Sequence, residues 1–380
     1  MDFKRITTTA ELDALAGDWR ALLQRSHMNS LPTSFEWVRA WWGVFGRYHQ
    51  MAVACAFKDD KLVAAAPLVT GPRKYRGINV SMASLMTNTH TPYSDVVLDD
   101  GLSDEEKTRF FSDIIASSPE DILQFTCVRN DGCAQRYARE AARRCGRSIG
   151  TTPNLMTPVI KAHEEWDAFM LGRSKKFRRG IRNKLNRFEK AGLRVEKHEI
   201  SSNVEEYLSR IIAVSGRSWK ADAGTDLLSC DDARELLDSL VTVFATLHDV
   251  DLWMAYDGDR PVAYELHIVY HGRSYPFRAD FDEDYRRVSP GSVVEYEALK
   301  GVFDGDYAHT YFSCADDYAY LAHWTEDYVQ FCDLELFAPN LKARSLYFFE
   351  YKLMPIYRVL RDRARALARW RPARTAHMAG

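Results

Sequence analysis

The sequence lacks any long apolar run. No stretch of about 18 consecutive apolar residues is present, so no membrane-spanning helix is predicted. The opening residues, MDFKRITTTAELDALAGDW, have no apolar core of the kind that marks a secretory signal. The seven cysteines are scattered and form no C-x-x-C pair, which argues against a disulfide framework or a zinc site. Together these absences predict a cytoplasmic protein that holds no metal.

Net charge is also nearly absent, at −2 for 51 basic and 53 acidic residues. The molecule as a whole is therefore no polycation, and any binding of nucleic acid or phosphate must come from a local patch. Apolar material is plentiful: 46% of the residues are hydrophobic, which is enough for folded cores. A length of 380 residues fits two domains better than one or three.

The predicted elements repeat in the two halves of the chain. Each half has two helical stretches followed by strands, a helix and a closing strand. DKLVA at 60–64 and DRPVA at 259–263 each join two strands, which indicates two copies of one domain. Turn-forming residues at 146–158 predict the boundary between them. We therefore predict an α/β (α+β) fold whose domains have mixed, mostly antiparallel sheets flanked by helices. The two domains are predicted at 1–150 and 151–345, followed by a basic helix or tail at 346–380.

Four stretches resemble a known superfamily: FEWVRAWWGVFG, SKKFRRGIRNKLNRFEKAGLRVE, GDRPVAYELHIVYHGRSYPFRADF and a late YAYLAHW. Their order and spacing, over roughly residues 30–340, resemble the GNAT-fold acyltransferases. Within that superfamily the chain is similar to the CelD-like (cellulose-biosynthesis type) acetyltransferases, which are relatives of the Fem-type aminoacyl transferases. The resemblance implies two tandem GNAT-like domains. We predict that the first is a degenerate copy, because its basic stretch GPRKYRG at 71–77 does not lead into a helix. The resemblance also implies acyl-CoA as co-substrate, or aminoacyl-tRNA as in Fem-type relatives.

One helix start in the second half, RRVSPGS at 286–292, has the features of an anion site. A helix N-terminus carries unpaired N–H groups and a partial positive charge, so it suits a phosphate. Pro290 fits a first helical turn, and Gly291 lets a ligand approach the backbone. With the resemblance, this stretch is predicted to bind the coenzyme A pyrophosphate through Arg286, Arg287, Val288, Ser289, Gly291 and Ser292. The alternative is a self-capped helix start with solvated arginines.

The hairpin predicted over 261–281 carries four ionisable residues. If its turn has two residues, Glu265 faces Arg278 across the ladder. Alternation then puts Glu265, His267, Arg278 and Asp280 on one face. Because burying such groups unpaired costs several kcal/mol each, we predict that this face lines an acceptor pocket. Asp280 or Glu265 is the predicted base, and Arg278 and His267 are predicted to bind the acceptor. A structural salt bridge on an exposed face is the alternative.

Three further side chains are assigned by position. Asp316 and Trp219 are predicted to contact the acceptor, and Tyr318 is predicted to protonate the leaving thiolate. The chain has no H-E-x-x-H motif, no metal-ligand spacing and no Ser-His-Asp order, so metal-dependent or covalent catalysis is disfavoured. Direct attack of an amine on a thioester or ester requires neither.

Two segments concentrate positive charge. The helix predicted at 174–190 has an apolar stripe at spacings of four, four and three, and its other side is basic. That side is either solvated surface or a polyanion site for tRNA, nucleotide phosphates or acidic lipid, built from Lys175, Lys176, Arg178, Arg179 and Arg182. The C-terminal stretch 357–374 is a second basic amphipathic helix, which either touches an anionic membrane or packs on its own domain.

These features predict an N-acyltransferase that moves an acyl group from acyl-CoA to an amine of a small-molecule, cell-envelope or natural-product precursor. The acceptor is expected in the cleft between the halves. Aminoacyl transfer from charged tRNA is the alternative enzyme, and a non-catalytic polyanion-binding protein is the alternative from another class.

Overall fold

The computed structural model describes residues 1–247, 249–305, 308–316 and 320–369. The helices of the first half are α1 (Thr9–Ala14), α2 (Ala16–Leu23), α3 (Phe35–Phe45), α4 (Asp104–Ala116) and α5 (Arg139–Arg144). Its strands are β1 (Asp2–Ile6), β2 (Gln50–Met51), β3 (Val53–Lys58), β4 (Lys61–Ala66), β5 (Leu68–Tyr75), β6 (Ile78–Leu85), β7 (Val97–Leu98) and β8 (Ile122–Arg129). Ser34 caps α3: its hydroxyl accepts a hydrogen bond from the Trp37 amide at 3.1 Å.

The rest of the chain repeats this alternation. Its helices are α6 (Trp166–Gly172), α7 (Lys175–Lys190), α8 (Val204–Ser215), α9 (Trp219–Asp222), α10 (Asp231–Ala245), α11 (Pro290–Asp304), α12 (Leu341–Phe348) and α13 (Met354–Arg369). Its strands are β9 (Ser148–Lys161), β10 (Arg194–Glu199), β11 (Val250–Asp257), β12 (Arg260–Tyr270), β13 (Arg273–Phe281), β14 (Thr310–Phe312) and β15 (Tyr328–Phe337). The predicted mixed α/β class is confirmed.

Strands of both halves form one eleven-stranded sheet in the order β10-β11-β12-β13-β14-β9-β15-β8-β6-β5-β2. A second sheet has the order β1-β3-β4-β7. In the large sheet, β15 lies between β9 and β8 and pairs antiparallel with both. The last strand of the second half therefore completes the sheet of the first half.

The segment predicted as a boundary loop is instead the beginning of β9. Its prolines are tolerated because β9 pairs on one side only, with β15, along residues 148–158. Pro153 also lies at an irregularity of that pairing, so its missing N–H interrupts no second ladder. On its other edge, β9 meets β14 only at 159–161. The predicted limit between 150 and 151 thus falls inside a strand.

The two halves share a core as well as a sheet. One cluster of buried residues joins Trp37 and Trp41 of α3 to Leu240 and Phe244 of α10. The ring of Trp37 also meets the edge of Phe277 on β13, with centroids 5.6 Å apart. The first half is therefore packed directly on one face of the second-half sheet, next to the predicted site.

The C-terminal segment returns to the first half. Ala343 and Leu346 of α12 are buried against Val80 and Phe337, so the predicted limit between 345 and 346 lies within a docked helix. Within the described residues, no helix is long and apolar enough to cross a membrane.

The packing of α11 on the sheet requires a glycine. A Cβ at Gly301 would overlap the ring of Trp253, whereas one at Gly180 in α7 would meet nothing within 4 Å. Both glycines lie in helices, so alanine brings each the same gain in helix propensity, about 0.5–1 kcal/mol. We expect Gly180→Ala to raise the melting temperature and Gly301→Ala to lower it, because overpacking costs about 1–3 kcal/mol. Thermal denaturation checks this, and equal shifts of the two variants would contradict it.

Candidate active site

The predicted hairpin is present, but its register changes halfway along. Near the turn, Tyr270 lies opposite Arg273, as predicted. Farther on, Leu266 lies opposite Arg278, because Phe277 is an extra, bulged residue on β13. The predicted pairing of Glu265 with Arg278 is therefore wrong.

The bulge sends the four ionisable residues to opposite faces of the sheet. A shift of one residue reverses the side on which each later side chain projects. Arg278 and Asp280 thus lie on the face that packs against the first half. Glu265 and His267 lie on the other face, beneath α11. The single polar face predicted for this hairpin does not exist, and two separate clusters replace it.

Asp280 is the centre of the first cluster. Its side chain is fully buried and forms an ion pair with Lys220. The hydroxyl of Tyr264 donates to Asp280 Oδ2 at 2.8 Å. Burial, with the nearby Asp280 charge, raises the pKa of Tyr264 well above its ordinary value. Burial also lowers the pKa of Lys220, although the attraction of Asp280 opposes that shift. Asp280 is therefore a counter-ion in this structure.

Arg278 is the second cation of this cluster. Its Nε atom lies 3.7 Å from Asp280 Oδ2 and has no hydrogen-bond partner among the described residues. Its Nη2 atom donates to the Thr225 carbonyl at 3.4 Å. One buried carboxylate thus faces two half-buried cations, and the Arg278 side chain, 14% exposed, keeps a donor for a further acceptor atom.

The second cluster is a buried chain of hydrogen bonds. His267 lies between Ser274 and Glu265: its Nδ1 atom is 2.8 Å from Ser274 Oγ, and its Nε2 atom is 2.9 Å from Glu265 Oε1. The hydroxyl of Tyr311 donates to the same Glu265 oxygen at 2.9 Å. All four residues are buried, and burial next to Glu265 raises the pKa of Tyr311 well above its ordinary value.

Glu295 adds a second carboxyl group to this cluster from the facing side of α11. Burial raises its pKa to about 8, and the charge of Glu265 contributes to that rise. Lys184 of α7 and a hydrogen bond with Trp324 act in the opposite direction. Glu295 is therefore held as a neutral acid near pH 7, next to an ionisable partner.

The start of α11 is partly as predicted. Pro290 occupies the first helical turn, and Ser289 before it has a positive φ of 56°. The amides of Ser292 and Val293 already donate to the Ser289 carbonyl, whereas the Gly291 amide makes no backbone hydrogen bond within the described part of the chain. A Cβ at Gly291 would lie 3.3 Å from the ring of Phe281, so this glycine also serves close packing.

The cation at this helix start is a lysine from α7. Lys184 Nζ donates to Ser292 Oγ at 2.9 Å. Arg286, by contrast, is exposed and pairs with Glu283 at 3.6 Å, and Arg287 is also exposed. Lys184 belongs to the predicted basic helix, and its place three residues after the buried Ile181 is the sequence signal that puts it toward α11.

An opening in the sheet lies between these two clusters. As far as the structure describes them, β13 and β14 are parallel and pair only at Arg273–Thr310 and Ser274–Tyr311, after which they separate. Lys220 Nζ donates to the Ala279 carbonyl on β13 at 3.0 Å. From the first half, Tyr93 reaches this region, with its hydroxyl 3.4 Å from that of Tyr275.

The remaining predicted residues are dispersed. Asp316 accepts a hydrogen bond from the Met156 amide at 3.2 Å, and Trp219 is 55% exposed next to Lys220. Tyr318 lies outside the described residues. The apolar stripe of α7 is confirmed: Ile181 and Phe188 are buried. The basic residues of that helix are exposed at Lys175, Lys176, Arg179 and Arg182, while Arg178 is half-buried. Among the described residues, no group of His, Cys, Asp and Glu side chains could hold a metal ion.

The raised pKa of Glu295 makes stability depend on pH. The folded protein keeps this proton up to pH about 8, whereas the unfolded chain releases it near pH 4.5. The wild type therefore loses stability as the pH rises through this window. We expect the melting temperature of Glu295→Gln, relative to that of the wild type, to rise as the pH increases from about 4.5 to about 8. Above about pH 8 the difference should stay constant. Glu189→Gln, at an exposed position of α7, is the control; a pH-independent difference for Glu295→Gln would contradict the assignment.

Comparisons with known proteins agree with this architecture. The structure of FemX has a TM-score of 0.54 at 12% identity, covering 92% of this chain and 100% of that one. A protein of unknown function from Bacteroides thetaiotaomicron has a TM-score of 0.52 at 14% identity, covering 89% and 100%. The structure of L-PGS from Bacillus licheniformis has a TM-score of 0.52 at 10% identity, covering 87% of this chain and 94% of that one. At these identities the likeness shows the fold alone.

Sequence comparison is more specific about the second half. No curated protein matches the chain significantly. Residues 175–321, which span both clusters and the start of α11, match the family described as acetyltransferase (GNAT) domain. The narrower resemblance to CelD-like enzymes stays a prediction. Residues 175–321 of this chain are therefore a GNAT-type acyltransferase domain.

Proposed function

We propose that this domain transfers an acyl group from acyl-CoA to the amine of a small molecule or of a cell-envelope or natural-product precursor. The separation of β13 from β14, with α11 starting soon after β13 ends, is the observation that supports it. A strand edge without a partner offers backbone groups to an extended chain such as pantetheine. A cytoplasmic location is part of the proposal, since acyl-CoA and free cysteines both belong there.

The donor phosphates would lie at the start of α11. The Gly291 amide, the Ser292 hydroxyl and the Lys184 ammonium are the donors closest to that helix end. The helix dipole adds to the attraction of an anion. Arg286 and Arg287 keep their predicted role as outer cations, reaching the phosphates from solvent, and Val288 and Ser289 contribute backbone.

In the transfer step, the amine nitrogen attacks the thioester carbonyl. A C–N bond forms, the C–S bond breaks, the amine loses a proton, and the sulfur leaves as a thiol after gaining one. Glu265 is the first choice for base, because it is joined through His267 to Ser274 at the last β13–β14 pair. A proton that leaves the amine near Ser274 can move along these hydrogen-bonded residues to the imidazole of His267. Asp280 is the second choice, and Tyr318 stays the predicted acid.

The acceptor would enter from the face that carries Asp280. The buried Nε atom of Arg278 lies 3.7 Å from Asp280 and has no hydrogen-bond partner among the described residues, so an acceptor with a carboxylate could bind it. His267, assigned to the acceptor by sequence, lies on the opposite face and fits the base cluster better. Trp219 and Asp316 remain candidates for contacts with the rest of the acceptor.

The Ser292→Asp substitution tests phosphate binding without lowering the stability of the fold. A carboxylate in the first turn of α11 is favourable for the helix, by about 0.3–1 kcal/mol, but it repels a pyrophosphate. We expect the melting temperature to be kept or raised, and the affinity for acetyl-CoA, measured by calorimetry, to fall at least about tenfold, or about 1.4 kcal/mol. Ser292→Ala is the matched control, with a smaller loss. Unchanged affinity in Ser292→Asp would remove the donor from this helix start.

Aminoacyl-tRNA is the second candidate donor, because the exposed basic residues of α7 form a surface that suits a polyanion. A variant with Lys175, Lys176, Arg179 and Arg182 each changed to Gln tests this. Under our proposal, acetyl-CoA raises the melting temperature of both proteins, and tRNA raises neither. Stabilisation of the wild type by tRNA, lost in the variant, would favour the Fem-like reaction instead.

A further inference from the structure

The last helix of the described chain has a rigid base. Glu350, in the π-helical turn before α13, is buried and accepts two hydrogen bonds from Arg76, at 2.7 and 2.8 Å. It also accepts one from Arg358 of α13 at 3.1 Å. Next to it, the Tyr351 hydroxyl donates to Glu335 of β15 at 2.8 Å. The base of α13 is thereby fixed to the first-half sheet.

Beyond this base, α13 leaves the body of the protein. Every residue from 355 to 363 is exposed. An apolar stripe at helical spacing, with exposures of 45–59%, runs from the π-helical turn into α13: it consists of Leu353, Ile356, Tyr357 and Leu360. Phe349 continues the stripe toward the base and is 47% exposed. The sequence leaves two possibilities for this segment: contact with an anionic membrane, or packing on its own domain. The exposed residues 355–363 are not packed on the domain.

The sides of the stripe are basic. Arg358, Arg361, Arg363 and Arg365 are exposed around it, and Asp362 is the one acid between them. A chain with a net charge of −2 thus concentrates positive charge on the helix that also carries its uncovered apolar residues. This pairing of an apolar stripe with arginines is the pattern of helices that lie in a membrane interface.

We propose that α13 binds the surface of an anionic lipid bilayer. The stripe would enter the boundary between headgroups and acyl chains, with Tyr357 at headgroup level, and the arginines would contact lipid phosphates. A second copy of the chain fits less well, because two such helices would bring their arginines together. A nucleic acid would pair with the arginines but leave the stripe exposed. The inference is independent of the acyl-transfer proposal.

Vesicle flotation of the full-length protein tests it, with phosphatidylcholine vesicles prepared with and without phosphatidylglycerol. We expect binding only when phosphatidylglycerol is present, weakened by added salt. Ile356→Glu combined with Leu360→Glu should reduce vesicle binding at least about tenfold. Since both side chains are exposed, the melting temperature and the affinity for acetyl-CoA should not change. Leu341→Glu, at a leucine 84% exposed and outside the stripe, is the matched control and should bind like the wild type.

Three results would overturn the proposal. The first is absence of wild-type binding to vesicles that contain phosphatidylglycerol. The second is equal binding to neutral vesicles, which would show that the arginines take no part. The third is a wild-type protein that is a dimer in light scattering and binds no vesicles, together with a double variant that is a monomer. That result would assign the stripe to contact with a second copy of the chain.

Discussion

The separation of β13 from β14 is the feature on which the site depends. In a sheet, each backbone N–H and C=O that faces a neighbour must find a partner, and a strand that leaves its neighbour gives those partners up. Here β13 keeps β12 along its length but loses β14 after Ser274. Lys220 supplies one replacement at the Ala279 carbonyl. Under the acyl-transfer proposal, the remaining groups of that edge would give an extended donor a place in the sheet, and the N-terminus of α11 would face the anionic end of that donor.

Burial makes the two clusters different in kind. On the first-half face, Asp280 balances one of two cations, so the cluster has surplus positive charge. Under α11, two carboxyl groups share one region, and burial keeps the Glu295 proton in place near neutral pH. The sheet therefore separates a cationic side from a side that holds a protonated carboxyl group. Under the acyl-transfer proposal, the cationic side would recognise the acceptor and the other side would take up its proton. Both are close to the opening because β12 and β13 carry them.

Local patterns predicted the elements of the fold well, since hairpin turns, helix caps and the stripe of α7 are properties of short segments. Non-local pairing could not be predicted in the same way. The insertion of β15 between β8 and β9 depends on contacts between distant residues, and β9 resembles a linker because of Pro153 and Gly150. Of the candidate site, the sequence singled out the four ionisable residues on β12 and β13, but the bulge at Phe277 has no sequence signal and puts two of the four on the opposite face. Lys220 and Glu295 were missed because their role comes from tertiary neighbours.

The position of β15 also determines when the large sheet can be completed during synthesis of the protein. Its pairing joins Leu336 to Leu123, so that edge of β8 has no partner until β15 has also left the ribosome. At about 5–20 residues per second, that interval lasts on the order of ten seconds or more. An apolar strand edge left open for so long is a template for association with other chains. Nascent copies would therefore gain from chaperones that shield this edge, whereas the finished enzyme has no need of them.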